Sequence, residues 1–90
     1  MSIARYDFEE MYAAATKVQK EADELQTLIV TVNSVVEELK AAWTDAAQMK
    51  FENEWQEMSG KLKQYVPIME EYSAAINKHA RKIEESSQSI

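Results

Sequence analysis

The chain has 90 residues, and its composition is that of a small helical protein rather than a sheet protein or a disordered chain. Hydrophobic residues make up 46% and charged residues 29% of it, while glycine and proline occur once each, which leaves almost no turn residues for a β-sheet. Cysteine is absent, so disulfides, thiolate metal sites and thiol catalysis are excluded. The formal net charge of -6 opposes binding to nucleic acid and adsorption to anionic membranes.

The acidic residues are concentrated in the first half of the chain. Up to Asp45 there are four Lys or Arg against nine Asp or Glu, a net charge of -5, whereas the remainder has six against seven, a net charge of -1. A partner that touches the first half is therefore expected to be basic. The opening residues show no apolar run of signal-peptide length, and no later run is long enough to span a membrane, so the sequence predicts a protein made in the cytoplasm.

A first helix is predicted over about residues 8–41. Its apolar side chains recur at alternating steps of three and four, the spacing of a helix that packs lengthwise on another helix. Asp7 followed by Glu10 predicts a capping box at the start, with Tyr6 and Met11 placed as a hydrophobic staple. The stripe consists of Phe8, Met11, Ala15, Val18, Ala22, Leu25, Ile29, Val32, Val36, Leu39 and Trp43.

A turn is predicted over about residues 42–46, a second helix over about 46–85, and a flexible tail over 86–90. Pro67 falls inside the second apolar stripe, and because the stripe keeps its period through the proline, we expect a kink rather than a break. This stripe consists of Phe51, Trp55, Met58, Leu62, Tyr65, Met69, Tyr72, Ile76, His79 and Ile83.

Two long helices of similar length joined by a short turn predict an all-α fold, a single domain over 1–90 that forms an antiparallel two-helix hairpin. The stripes are wider than one seam needs, and the surplus would form an apolar patch that monomers rarely tolerate. We therefore predict that the hairpin dimerises, with itself or with a similar hairpin, into a four-helix bundle. We assign to the intramolecular seam Val18, Leu25, Ile29, Val36, Phe51, Trp55, Met58, Leu62, Tyr65, Met69, Tyr72 and Ile76, and to the dimer interface Leu28, Val32, Val35, Leu39, Val66 and Ile68.

No residues of the chain suggest catalysis or a cofactor. His79, the only histidine, lies at a core-facing position and is interpreted as a half-buried seam residue. The alternative is a pH-sensitive contact, because burial disfavours the charged imidazole. The Glu-x-x-His spacing of di-iron bundles is missing, as is a glycine-rich phosphate loop. We expect neither an enzyme nor a metal or cofactor site.

Trp43 closes the first stripe at the tip of the hairpin. One interpretation is a lid that packs over the end of the bundle. The other is a partly exposed aromatic anchor for a partner, since tryptophan is over-represented in binding hot spots. The residues alone leave both interpretations open.

The run Ala42-Trp43-Thr44-Asp45-Ala46, central in a chain of this length, resembles the WXG motif between the two helices of WXG100 proteins. Phe51 and Trp55 match the aromatic spacing common in firmicute members of that family. The opening run Tyr6-Asp7-Phe8-Glu9-Glu10-Met11 is similar to the acidic lead into their first helix.

The chain departs from the family pattern at two places. Asp45 replaces the motif's glycine, although Asp is among the few residues that tolerate a positive φ, and it can also cap the next helix. Many members or their partners end in a Tyr-x-x-x-Asp/Glu export signal. Here Tyr65 is followed at that spacing by Met69, and Tyr72 by Ile76.

The resemblance implies an antiparallel four-helix dimer in which the turn of one subunit lies beside the second-helix tail of the other. In the family, the ATPase of the type VII secretion system is thought to recognise this composite end. Carried over, Trp43 would be the recognition residue, with Thr44 and Asp45 shaping the turn; these are the predicted partner-binding residues.

The resemblance implies a non-enzymatic, secreted bacterial protein or a co-secreted adaptor of a type VII (ESX-like) secretion system, exported without a cleavable signal peptide. The departure from the tail signal keeps an alternative open, a cytosolic helical chaperone or targeting partner of an LXG-type toxin. A structural coiled-coil dimerisation module is a third possibility, from a different class.

Overall fold

The structure, a computed structural model, describes residues 6–88 and, among these, the side chains of residues 6–86. Helix α1 spans Phe8–Ala42 and helix α2 spans Ala46–Gln88, and no strand occurs within the described residues. The helices run antiparallel, side by side, in a rod with extents of 69 × 24 × 15 Å. The all-α hairpin predicted from the two stripes is confirmed.

Each helix begins at a capping aspartate. The Oδ1 atom of Asp7 accepts a hydrogen bond from the N–H of Glu10 at 3.1 Å. Likewise, Oδ1 of Asp45 accepts from the N–H of Gln48 at 3.0 Å. Each bond satisfies one of the backbone donors that an N-terminal turn leaves unpaired. Between the helices, the N–H of Trp43 donates to the Leu39 carbonyl at 2.8 Å and ends α1.

Helix α2 is continuous from Ala46 to Gln88 and passes through both Gly60 and Pro67. Pro67 is exposed, so water can solvate the carbonyl four residues earlier that loses its helical donor. Residues 86–88 continue the helix where a flexible tail over 86–90 is predicted, because no glycine or proline follows Pro67 to end it. The last two residues of that predicted tail lie outside the described part of the chain.

The seam between the helices is built from small side chains along its centre. Ser73 Oγ donates a hydrogen bond to the carbonyl of Ala15 on the other helix at 2.6 Å, a contact that requires the two backbones to approach closely. Ile29 is the one large side chain that is fully buried among the described residues. The buried residues are Ala15, Ala22, Ile29, Gln48, Ser59, Val66, Ser73 and Ala80. Beside them, half-buried, lie the predicted seam residues Val18, Leu25, Val36, Trp55, Leu62, Met69 and Ile76.

The structure corrects the predicted seam on α2 at every second position. Phe51, Met58, Tyr65 and Tyr72 are assigned to the seam from the sequence, but they are exposed by 51–61%. The residue that follows each of them faces α1 instead, namely Glu52, Ser59, Val66 and Ser73. Close approach of two helices favours small side chains at the contact, whereas the predicted stripe followed the largest apolar ones.

The same shift corrects one residue of the predicted dimer interface. Val66 is only 8% exposed and packs inside the hairpin, so it is not available to a second chain in this arrangement.

Polar contacts on the edges of the seam hold the two helices in register. The indole N–H of Trp55 donates to Asn33 Oδ1 at 2.7 Å, and the Tyr12 hydroxyl donates to Glu84 Oε1 at 3.0 Å.

Candidate partner-binding face and turn

The two broad sides of the hairpin differ in polarity. On one side a groove between the helices is lined mainly by apolar residues, with Val32 and Leu39 of α1 opposite Phe51 and Trp55 of α2. On the other side the groove is lined mainly by polar residues of both helices, together with Gly60, Val36 and Trp55. Its polar lining consists of Asn33, Glu37, Gln56, Ser59 and Lys63. The hairpin as a whole is therefore amphipathic.

The apolar side continues along both helices. On α2 four of the exposed large side chains recur every seven residues, which keeps them on one strip of the helix. On α1, Leu28 and Val35 are also seven residues apart, and Val35 precedes Leu39 by four, so these three share one side. We call this surface the apolar face; its exposed members are Leu28, Val35, Leu39, Phe51, Met58, Tyr65 and Tyr72.

Most residues predicted for the dimer interface lie on or beside this face. Leu28, Val35 and Leu39 are exposed by 50%, 53% and 40%, and Val32 is half-buried in the groove. Ile68 is exposed and lies at the outer edge, three residues after Tyr65. The structure thus brings the predicted interface of α1 together with the row of α2 that the sequence assigns to the seam.

The turn carries the three residues predicted to bind a partner. Trp43 is half-buried, and its ring tilts against that of Phe51 with centroids 6.2 Å apart. Thr44 and Asp45 are exposed. Hydrogen bonds from the Trp43 side chain, and then from the Gln48 N–H, hold the pKa of Asp45 below its ordinary value. Trp43 therefore has a packing partner and a polar partner within its own chain while part of its ring stays accessible.

Asp45 occupies the glycine position of the motif without backbone strain. No residue other than glycine has a positive φ within 6–88, so the turn does not use the left-handed conformation for which glycine is favoured. The carboxylate is useful here instead, because it caps α2 and accepts from Trp43. The expected need for a residue tolerant of positive φ at this position is therefore wrong, and its expected capping role is confirmed.

Below the turn, a polar cluster joins the helices. Lys40 Nζ lies 2.8 Å from Glu52 Oε1, and the Gln48 side chain donates to Glu52 at 3.2 Å. The hydrogen bond that Lys40 donates to Glu52 is the leading cause of two shifts: it lowers the pKa of Glu52 and raises the pKa of Lys40. The sequence interpretation missed these residues. The signal was present, because Glu52 and Gln48 lie four residues apart on one side of α2.

His79 does not occupy the half-buried seam position predicted for it. It is exposed, and its ring lies edge-on to that of Tyr6 with centroids 6.5 Å apart. The reason is again the shift of the α2 seam, which turns Ala80 rather than its neighbour toward α1. Tyr6 in turn stacks on Phe8 at 6.4 Å.

Over residues 6–88, no group of three or more His, Asp or Glu side chains is arranged to hold a metal ion. Neither helix, in the same stretch, contains an apolar segment of the length needed to cross a membrane.

A hairpin with a tryptophan turn and this polarity can be compared with known families. The model of the WXG100 family, described as proteins of 100 residues with WXG, matches residues 4–88. The chain belongs to the WXG100 family. Its Trp43-Thr44-Asp45 turn is the WXG position of this member, with Asp45 in place of glycine.

Two relatives of this WXG100 chain are informative. It is 22% identical over 90 residues to the type VII secretion system extracellular protein A of Staphylococcus aureus strain USA300, and the alignment covers 100% of this chain and 93% of that protein. It is also similar to the crystal structure of selenomethionine-labelled EsxB, a secreted protein of Bacillus anthracis strain Sterne. The TM-score is 0.82 at 26% identity, covering 97% of this chain and 99% of that one. A crystal structure of wild-type EsxB in space group P21 gives a TM-score of 0.77 at 28% identity, covering 91% of this chain and 94% of that one.

Proposed function

We propose that this chain is a non-enzymatic, secreted component of a type VII secretion system, either a substrate or a co-secreted adaptor. The observation that carries the proposal is a WXG100 hairpin with an unpartnered apolar face along both helices. The apolar area of this contiguous surface is larger than that of hydrophobic residues exposed singly. Soluble proteins normally cover such a surface with a partner. The relative from Staphylococcus aureus, which is named as an extracellular protein of such a system, supports the pathway.

The apolar face pairs with another hairpin of the same kind, a second copy or a relative, to form a four-helix bundle. The paired hairpins run in opposite directions, so that the turn of one lies beside the open end of the other. Burial of the aromatic and aliphatic row of α2 supplies the binding free energy, because removing apolar surface from water contributes about 25 cal/mol per Å².

The turn residues Trp43, Thr44 and Asp45 are the recognition site for the secretion ATPase. Export follows synthesis in the bacterial cytoplasm and needs no cleavable signal peptide. Partial exposure of Trp43 supports this role, since a wholly buried tryptophan would have no surface to offer.

Export is tested by immunoblotting of the culture supernatant of the source bacterium with and without the secretion ATPase, using a cytosolic protein as the lysis control. We expect the chain in the supernatant of the parent strain alone. Its retention inside both strains would contradict the substrate and adaptor roles.

Recognition by the turn is tested with Trp43→Ala. We expect loss of export while the far-ultraviolet circular dichroism and the pairing with another hairpin are retained. If Trp43→Ala instead lowers the melting temperature enough to explain the export defect, Trp43 has a packing role rather than a recognition role.

A second candidate function is supported by the shape of the apolar face. The face extends along both helices and has no closed end, so it fits a pair of helices from a longer chain as well as a separate hairpin. The chain would then be a cytosolic chaperone or targeting partner of an LXG-type toxin. Co-purification with such a toxin, together with absence from the supernatant, separates this role from the first.

A further inference from the structure

We propose that the apolar face is built for a different helical hairpin whose facing edge is basic, rather than for a second copy of this chain. This inference rests on the proposed function, because it takes the antiparallel pairing of two hairpins through the apolar face as given. It adds the chemistry that the partner must present.

The edge of the apolar face on α1 is acidic. Glu21 lies seven residues before Leu28, and Glu24 lies four residues before it, so both follow the same side of the helix. Farther along, Glu38 lies three residues after Val35. All three glutamates are exposed. A helix that covers Leu28 and Val35 must therefore pass directly beside these carboxylates.

The acidic character extends toward the start of α1. Glu10 and Lys17 continue the same edge, and Lys20 is ion-paired with Glu24 at 3.9 Å, so the edge holds four glutamates and two lysines. The corresponding edge of α2 holds Glu54, Lys61 and Lys82, a net charge of +1. The α1 edge is thus the part of the face that sets the charge requirement for a partner.

Antiparallel pairing of two copies would bring these carboxylates together. It lays α1 of one copy along α1 of the other in the reverse direction, about Leu25, the middle residue of α1. Glu24 then lies within two residues of the position opposite Glu24 of the second copy. Glu10 meets Glu38, because they lie at nearly equal distances on either side of the middle. Like charges placed opposite one another weaken such an interface and discriminate against that pairing.

Side-chain size favours the same conclusion. The row on α2 is bulky, with Phe51, Tyr65 and Tyr72 among its members, while Ala14 and Val35 hold the comparable positions on α1. Self-pairing would place large residues against large ones along α2 and smaller residues against each other along α1. Evenly spaced helices need large residues opposite small ones, which a different hairpin can supply.

The test uses two variants of the full chain as defined probes. The basic-edged copy carries Glu21→Lys, Glu24→Lys and Glu38→Lys. The matched control carries Glu70→Lys, Glu71→Lys and Glu85→Lys, which makes the same change in net charge at exposed residues away from the apolar face. Circular dichroism of each chain first establishes that it remains helical.

Binding is measured by native mass spectrometry and sedimentation velocity of each chain alone and of mixtures with the wild-type chain. We expect the wild-type chain to bind the basic-edged copy at least about tenfold more tightly than it binds itself. The control variant should show no such gain. If the wild-type chain pairs with itself as tightly as with the basic-edged copy, the inference is overturned while the proposed pairing function stands. If no combination of folded chains associates, a basic edge does not suffice to make a partner and the inference is overturned, whereas the proposed export is judged from the culture supernatant.

A second pair of variants removes charge without introducing lysine. Glu24→Gln with Glu38→Gln should strengthen self-association about tenfold, because the opposed carboxylates are gone. The pair Glu70→Gln with Glu71→Gln makes the same charge change away from the apolar face and should leave self-association as it is. Equal effects of the two pairs would show that only net charge matters and would overturn the inference.

Discussion

At the turn, Asp45 shows how one side chain can replace a glycine and serve two structural purposes. Its carboxylate caps α2 through the Gln48 N–H at 3.0 Å and also accepts a hydrogen bond from the side chain of Trp43. The tryptophan ring is thereby oriented from within the turn while its face packs on Phe51. Residue identity matters here because the backbone has no need of a positive φ.

Removing this carboxylate is expected to weaken the fold. Asp45→Ala loses both the cap and the acceptor for Trp43, so its melting temperature should fall below that of the wild-type chain. Asp45→Asn keeps an oxygen acceptor and should fall less. Thr44→Ala, a neighbouring exposed change, serves as the control in the same thermal scans. Equal stability of the Ala and wild-type chains would contradict the double role.

The polar cluster below the turn predicts a loss of stability in acid. The pKa of Glu52 in the folded chain is lower than its ordinary value of 4.5, so the unfolded chain binds its proton first as the pH falls. The contribution of Glu52 is therefore complete above about pH 5 and is lost as the pH falls through 4.5 to the folded pKa. Urea denaturation of the wild-type chain and Glu52→Gln between pH 3 and pH 7 measures this, and the variant should show a flatter pH dependence. The same slope in both chains would exclude Glu52 as a source.

At the scale of the helices, small side chains line the seam between α1 and α2, whereas bulky side chains form the exposed row of α2. Small residues such as Ala22 and Ser73 allow the backbones to come together, and Ser73 confirms the closeness by bonding to a carbonyl of the other helix at 2.6 Å. Hydrophobic period alone could not distinguish the two rows of α2, because both repeat every seven residues. Sterics between the helices decided which row faces inward.

Enlarging the seam should therefore destabilise the hairpin. Ala22 is completely buried between the helices, and Ala22→Leu would force them apart at a cost of about 1–3 kcal/mol. Ala13→Leu is the matched control, since Ala13 is exposed on the same helix and has room for the larger side chain. Denaturation in urea compares the two. A small effect at Ala22 would mean that the seam is looser than the structure shows.

A substitution at the single glycine should stabilise the hairpin rather than destabilise it. Gly60 lies within α2, and a Cβ atom added there would meet nothing within 4 Å. Gly60→Ala should therefore raise the free energy of unfolding by about 1 kcal/mol, because alanine has the higher helix propensity and loses less entropy on folding. Thermal and urea denaturation measure the gain. A loss of stability would indicate that the polar groove beside Gly60 is occupied by another group in solution.

At the scale of the whole molecule, the interior of the hairpin is too small to bury the large apolar side chains that the sequence contains. Only five hydrophobic residues are buried among those described, and three of them are alanines. The aromatic and aliphatic side chains of the apolar face are left in water by the isolated chain. The covering of this face by a partner is the step that would give the molecule a core of ordinary size.

Substitutions of two valines on α1 test whether a partner covers the apolar face. Val35 lies on the apolar face and is 53% exposed, whereas Val30 is 59% exposed and, five residues earlier, points to another side of α1. Val35→Lys should weaken binding to the basic-edged copy at least about tenfold, since a charge would be buried in the interface. Val30→Lys should leave binding unchanged in the same sedimentation experiment. Equal losses would place the interface elsewhere.

The sequence by itself determined the hairpin and its capped ends. These features follow from local physics, because helix period and capping residues are readable from neighbours in the chain. The Trp43 turn added a resemblance to the WXG100 family, which the match of the family model over residues 4–88 confirmed. The half of the α2 seam that contains Trp55 and Leu62 could be predicted for the same reason.

Only the tertiary structure decided which row of α2 turns inward. Two heptad rows side by side are equally periodic, and the choice between Tyr65 and Val66 depends on how closely α1 can approach. That choice moved Phe51, Met58 and Tyr72 from the inside of the hairpin to its surface and so revealed the apolar face. The Lys40–Glu52 pair also came from tertiary structure, since it needs two distant segments to be brought to 2.8 Å.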